Sequence, residues 1–134
     1  MNSPPSWLRG FAERYTAAWC SQNASSVAGF FLPNGSLRVN DASPAVGQAA
    51  IESVVQSFMS AFPDIVVTMD EIRFVDDGAE YHWTLTGTNT GPGGTGARVK
   101  VSGLERWKIE AGGLIAQSVG QFDAADYERQ LAQQ

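Results

Sequence analysis

Aromatic residues recur at every fourth position near the start of the chain: Trp7, Phe11, Tyr15 and Trp19, with Leu8, Ala12 and Ala18 widening the stripe. Side chains four apart share one side of a helix, so this spacing predicts an N-terminal helix with an aromatic face, and Ser6 stands where an N-cap belongs. Asn23 can cap a short second helix over about 24–31, which Pro33-Asn34-Gly35 ends as a turn. Leu37 and Val39 then alternate with Ser36 and Arg38, a brief strand. After Gly47, the residues Ile51, Val54, Val55, Phe58 and Phe62 return to helical spacing until Pro63. Proline disfavours the helical conformation in the residue before it, so the third helix stops there.

From residue 65 the period drops from about 3.6 to 2, that of a strand. Residues 66–75 form one strand, turned by Asp76-Asp77-Gly78. In the next, Tyr81, Trp83 and Leu85 alternate with His82, Thr84 and Thr86 up to about Thr90, ahead of the glycine-rich Gly91–Gly96 loop. Residues 98–109 make a long strand, Ala111-Gly112-Gly113 a hairpin and 114–122 the last strand, and Asp123 caps a closing helix through Leu131. Helices first and then a four-strand antiparallel meander predict an α+β fold, its curved sheet packed by N-terminal helices. Long strands twist and curl, and three helices are few for so much sheet. The expected shape is a half-cone whose mouth stays open as an apolar pocket. Its outer sheet face is left for a second copy, so a homodimer is expected.

Composition narrows the function. The chain has 134 residues, one domain's worth, with its folded core over about 7–132, and is 43% apolar, 10% aromatic and 17% charged. Its net charge of −5 gives no counter-ion gain against nucleic acid or an anionic membrane, so neither is expected as a partner. With one cysteine, Cys20, and one histidine, His82, an internal disulfide and a His/Cys zinc site are both excluded. Met1-Asn2-Ser3-Pro4-Pro5-Ser6 lacks the basic stretch and apolar run of a secretory signal, and no apolar run is long enough to span a membrane. A soluble, cytoplasmic protein is the expectation.

One carboxylate breaks the strand pattern. Over 98–109 the odd positions read Val99, Val101, Gly103, Glu105, Trp107 and Ile109, and the even ones Arg98, Lys100, Ser102, Leu104, Arg106 and Lys108. Glu105 thus falls on the apolar face, where lost hydration lifts a carboxyl pKa toward the range useful for acid/base work. Half of a buried ion pair, or a bulge that turns it outward, fits the same pattern. Gly103 leaves room for a ligand or a backbone. Asp41 shares parity with Leu37 and Val39 and would sit at the cone's lip, although Asn40-Asp41-Ala42-Ser43-Pro44 also reads as a polar turn. Tyr15 needs a partner for its hydroxyl, which is either a core neighbour or a substrate oxygen. The four cations of the 98–109 strand read as a solvated or dimer-facing stripe, His82 falls on the outer face, and Asp64 reads as a turn residue. The Gly91–Gly96 loop lacks phosphate-loop spacing and reads as a mobile rim of the pocket mouth.

Phe62-Pro63-Asp64, Trp83 with Gly87-Thr88-Asn89-Thr90-Gly91, Thr95-Gly96, Gly113-Leu114-Ile115, Asp123 and Arg129-Gln130-Leu131, in this order and spacing, resemble the SnoaL-like polyketide cyclases of the nuclear transport factor 2-like superfamily. The resemblance covers about 7–132 and implies a dimeric, cone-shaped fold that binds a hydrophobic small molecule and needs no metal or cofactor. It also implies intramolecular aldol chemistry, using an Asp on the last strand and a His on the strand before. Here the Asp position reads Gly120 and the His position Glu105, so Glu105 takes the carboxylate role from the neighbouring strand. The first helix is similar to that of ketosteroid isomerases, whose oxyanion-binding Tyr matches Tyr15. Their base Asp matches Val39, two residues before Asp41. Together these give an expected cyclase, isomerase or lyase acting on a carbonyl compound. Glu105, with Asp41 behind it, would move the proton, and Tyr15 or Asn89 would hold the enolate oxygen. Trp19, Phe58, Phe62, Trp83 and Trp107 would contact the substrate. A binding or protein-interaction module of the same fold is the alternative.

Overall fold

The computed structural model describes residues 4–75, 78–110 and 113–132. Helices α1 (Ser6–Cys20) and α2 (Ala24–Ala28) precede strands β1 (Phe31–Val39) and β2 (Ala45–Val46), and α3 (Gln48–Ala61) follows. Four strands, β3 (Val66–Val75), β4 (Gly78–Thr88), β5 (Arg98–Ile109) and β6 (Ile115–Phe122), lead to α4 (Ala124–Ala132). They form one six-stranded sheet in the order β2-β1-β6-β5-β4-β3. It is curved and unclosed, with the helices packed against it, so the α+β half-cone expected from the sequence is what the chain builds. The meander over β3–β6 is antiparallel, but β1 joins β6 in parallel, which the sequence pattern did not indicate.

Helix α1 buries Leu8, Phe11, Ala12, Tyr15, Ala18 and Trp19, while Trp7 at the end of the stripe stays half exposed against the edge of Phe74. Ser6 is not its cap. It is the first helical residue, and the Pro5 carbonyl accepts from the N–H groups of Leu8 and Arg9. Asn23 does cap α2, its Oδ1 accepting from Ser25 N at 3.2 Å. The expected second helix runs too far, because α2 ends at Ala28 and Phe31 already belongs to β1. Pro33-Asn34-Gly35 is no turn between elements but an irregularity inside β1, where Phe31 pairs with Ile115 and Ser36 with Gln117. A bulge can hold a proline because the ladder there needs no N–H. The Asp76-Asp77 and Ala111-Gly112 turn assignments lie outside the described residues.

Strand β5 alternates as its sequence dictates, with Val99, Val101, Glu105 and Trp107 buried and Arg98, Lys100, Ser102, Arg106 and Lys108 exposed. No bulge turns Glu105 outward. Its neighbours in register are Tyr81 on β4 and Gly120 on β6. Gly103 lies between Trp83 and Phe122, and a Cβ there would come within 2.3 Å of the Gln121 carbonyl oxygen and 2.8 Å of Trp83 Cζ2. The space this glycine leaves is therefore taken by a backbone and an indole ring.

Candidate active site

Glu105 is 7% exposed and is the hub of a buried polar cluster. Its Oε1 accepts from Ser118 Oγ at 2.7 Å, Trp107 Nε1 at 2.9 Å and the Tyr15 hydroxyl at 3.0 Å. Oε2 receives only the longer edge of the Tyr15 contact, at 3.2 Å. Three elements supply these donors: α1 brings Tyr15, β5 brings Trp107 two residues along the same strand face, and β6 brings Ser118, opposite Trp107 in register. Rings brace them, since Trp107 stacks on Tyr81 with centroids 4.9 Å apart and meets Tyr15 edge-on at 5.0 Å. Among the described residues no Lys, Arg or His reaches Glu105, so the buried ion pair is not what holds it.

Burial pushes the Glu105 carboxyl pKa up, and the donors from Trp107, Ser118 and Tyr15 pull it part of the way back. Tyr15 is raised well above the usual phenol range, first by burial and then by the carboxylate beside it. At neutral pH it therefore stays a hydroxyl donor.

Glu105 also lines a cavity of about 60 Å³ between the sheet and α1, α3 and α4. Apart from the carboxyl its wall is apolar and aromatic, with Leu37, Val39, Val54, Phe58, Val67, Leu85 and Val101 around Trp19, Trp83, Phe122 and Tyr127. Gly120, across from Glu105, completes the wall on that side. The indole N–H groups of Trp19 and Trp83 are buried and have no hydrogen-bond partner. The Trp19 indole lies near enough to the Tyr15 hydroxyl to favour its ionised form, short of a closed hydrogen bond.

Of the residues expected at the site, Glu105, Trp19, Phe58 and Trp83 meet at this cavity. Tyr15 and Trp107 do not line it; they stand behind the carboxyl as its donors. Asp41 is not at its lip: the chain turns away after Val39, leaving Asp41 exposed and 4.0 Å from Arg38. Phe62 is fully buried against Tyr127 and the face of Gly87, outside the cavity wall. Asn89 is fully engaged elsewhere, donating to the Ala61 carbonyl at 3.1 Å and accepting from Thr95 N at 2.8 Å. With Gly91, whose N–H also donates to Ala61, it pins the 91–96 loop to the end of α3, so that loop is not the cavity's rim.

Ser118, Phe122 and Tyr127 escaped the sequence reading. Ser118 and Phe122 share parity with Gly120 on β6, and that alternation was the available signal. Tyr127 reaches the cavity only because α4 packs across β5, where Gln130 bonds the Lys100 backbone at both N and O. Among the described residues no three His, Cys, Asp or Glu side chains gather as metal ligands, and no helix is long and apolar enough to cross a membrane.

The model of the SnoaL-like polyketide cyclases matches residues 10–131. The chain belongs to the SnoaL-like polyketide cyclase family. No curated protein sequence matches it. Among solved structures, TsrD from Streptomyces laurentii superposes with a TM-score of 0.81 at 21% identity, over 98% of each chain. A putative SnoaL-like polyketide cyclase from Jannaschia sp. CCS1 gives 0.80 at 14%, over 99% of each. A hypothetical protein of ketosteroid isomerase-like fold from Catenulispora acidiphila, in complex with trimethylamine, gives 0.80 at 14%, over 98% of this chain and 96% of its own. At such identities the likeness is one of fold, the SnoaL-like half-cone also seen in ketosteroid isomerase-like proteins.

Proposed function

We propose that this SnoaL-like chain is a cofactor-independent acid/base enzyme acting on a hydrophobic carbonyl compound, as a cyclase, isomerase or lyase, with Glu105 moving the proton. The observation behind this reading is the asymmetry of the carboxyl group. Three donors converge on Oε1, which fixes the group and stabilises charge there, while Oε2 accepts only the longer Tyr15 contact and keeps lone-pair capacity, on a side chain that lines an apolar cavity. In its ionised form Oε2 takes a proton from the carbon α to the carbonyl, the C–H electrons move to the carbonyl oxygen as an enolate, and the protonated carboxyl returns the proton to carbon. A raised pKa suits that exchange, because it makes the carboxylate a stronger base toward the α proton. Tyr15 acts through Glu105 as a positioning residue. A homodimer through the outer sheet face fits Leu104 and Val119 standing there among polar side chains, and sedimentation velocity tests it.

The test is α-proton exchange of cyclopentanone in D2O, followed by proton NMR. Wild-type protein accelerates the exchange over buffer, and Glu105→Gln lowers the acceleration by about 10²-fold or more while its circular dichroism and melting curve stay those of a folded protein. Full exchange in Glu105→Gln, or none in the wild type, overturns the assignment. A module that binds without turnover is the second reading. The cavity of about 60 Å³ is less than half the ~150 Å³ that admits benzene, so substrate and ligand alike must displace part of its wall to enter. Binding without exchange would select this second reading.

A further inference from the structure

Two groups on the residues of the cavity wall close no hydrogen bond to Glu105 or to its donors: the indole N–H groups of Trp19 and Trp83. Both residues line the cavity, and both nitrogens are shut off from solvent without a partner. Buried donors in folded proteins are nearly always paired, so two orphans on residues that line one small space are complementary to something that fills it. We infer that Trp19 and Trp83 are the acceptor-binding residues of this cavity and that its ligand is a neutral carbonyl compound, whose oxygen takes one or both indole N–H groups.

The wall decides the chemical class. A carboxylate or phosphate ligand would accept from the indoles, but it would place a second negative group beside Glu105. The described lining holds no Lys, Arg or His to offset it. A cationic amine finds aromatic faces in Trp19, Phe58, Trp83, Phe122 and Tyr127 and a carboxyl in Glu105, yet it has nothing to offer either N–H and leaves both unpaired. A hydrocarbon leaves them unpaired as well. A neutral ketone, ester or lactone satisfies the donors, lays its apolar body on the aliphatic wall and exposes its α C–H to the same space as Glu105. At about 60 Å³ the cavity takes only a few non-hydrogen atoms as it stands, so a larger ligand must displace Tyr127 or Phe122. Both are only partly buried, standing on α4 and at the end of β6.

This inference rests on the reading of the cavity as a carbonyl site, but its test reads binding rather than turnover, so the two can fail separately. The four indole N–H signals of ¹⁵N-labelled protein, assigned with single Trp→Phe variants, are followed while cyclopentanone, methylenecyclopentane, cyclopentanecarboxylate or tetramethylammonium is added. Cyclopentanone moves the Trp19 or Trp83 signal, or both, downfield and saturably, leaving exposed Trp7 and Glu105-bound Trp107 in place. Trp83→Phe, which removes an unpartnered donor and keeps a ring, weakens cyclopentanone about tenfold and changes methylenecyclopentane less than about twofold. The shifts persist in Glu105→Gln, so loss of exchange with retained shifts breaks the enzyme reading and keeps this one. No saturable shift with cyclopentanone, equal affinity for ketone and hydrocarbon, or tighter binding of the carboxylate or of tetramethylammonium overturns it. Water alone holding the two N–H groups gives the first of those results.

Discussion

Three tryptophans surround the interior of this protein, and their indole nitrogens have opposite fates. Trp107 lies flat on Tyr81, edge-on to Tyr15, and spends its N–H on Glu105 at 2.9 Å. Trp19 and Trp83 stand on the other side of the same carboxyl group, around the cavity, with their N–H groups unspent. The side chains are alike and the surroundings nearly as dry, so the difference lies in what β5 offers each of them. A residue two positions from Glu105 on one strand face can reach its Oε1; Trp83, opposite Gly103, finds no acceptor there. One indole is thereby tied into the hydrogen-bonded core, and two keep a donor without an acceptor. The Trp107 side is a closed hydrogen-bond network, and the Trp19–Trp83 side is an incomplete one.

The sharpest way to break this contrast is to remove the acceptor. Glu105→Leu leaves the Ser118, Trp107 and Tyr15 donors unpaired together, and the expected loss is about 4 kcal/mol by urea unfolding. Glu105→Gln keeps an oxygen for them and should stay within about 1 kcal/mol of wild type. If the two variants unfold alike, the network is not what holds this side together. Next in size is the exchange of tryptophans for phenylalanine. Trp107→Phe loses a partnered N–H and ring volume packed between two tyrosines, and should cost about 2 kcal/mol. Trp83→Phe loses a donor that paid its desolvation without a bond, and should change stability by less than about 1 kcal/mol in either direction. Equal losses would mean that the Trp83 N–H has a partner after all.

The sequence carried the closed side of this contrast more fully than the open side. Period-2 alternation along 98–109 was enough to put Glu105 inside, because a strand with no bulge cannot turn one side chain against its neighbours. The α1 spacing likewise brought Tyr15 and Trp19 to one face. Asp41 failed because parity holds only while a strand lasts, and β1 ends at Val39. Asn89 and Trp107 read as ligand contacts from the sequence, yet the fold spends their polar groups on Ala61, Thr95 and Glu105, and the pairing of a particular amide or indole is set by three-dimensional neighbours that no spacing encodes. A second break in parity falls within β3, between Met69 and Glu71, where Asp70 is extruded and accepts from Thr84 at 2.6 Å. That bulge turns Ile72 inward and puts Phe74 on the same face, where it meets Trp7 near the strand's end, half exposed. Tyr127 lay beyond reach for another reason: Tyr127 and Leu131, four apart, give α4 an inward edge, but spacing alone does not say which part of the sheet the helix crosses.

The closed network also has a pH signature. Burial holds the folded-state pKa of Glu105 above its ordinary 4.5, so between 4.5 and the raised value the folded chain binds more protons than the unfolded one. Stability then falls as pH rises through that window, by at most about 1.4 kcal/mol per pH unit, and levels off above it. Subtracting the stability profile of Glu105→Gln from that of wild type isolates this slope from the other carboxylates. A flat difference profile would mean that the three donors fully offset burial.

The smallest effect on stability is expected at Gly120, and it tests the open side. This glycine faces Glu105 across β5 and β6, and its φ is not in the left-handed region, so nothing in its backbone excludes a side chain. A Cβ there would meet the Arg38 carbonyl oxygen at 3.5 Å and Glu105 Cγ at 3.6 Å, which is ordinary contact. Gly120→Ala should therefore shift stability by no more than about 0.5 kcal/mol. The added methyl group projects into the cavity wall beside the carboxyl, where about 60 Å³ is all the space there is. Cyclopentanone binding should then weaken while the melting temperature holds. The reverse result, a lower melting temperature with unchanged binding, would make Gly120 a requirement of the β5–β6 ladder. The room beside Glu105 would then be a by-product of strand packing.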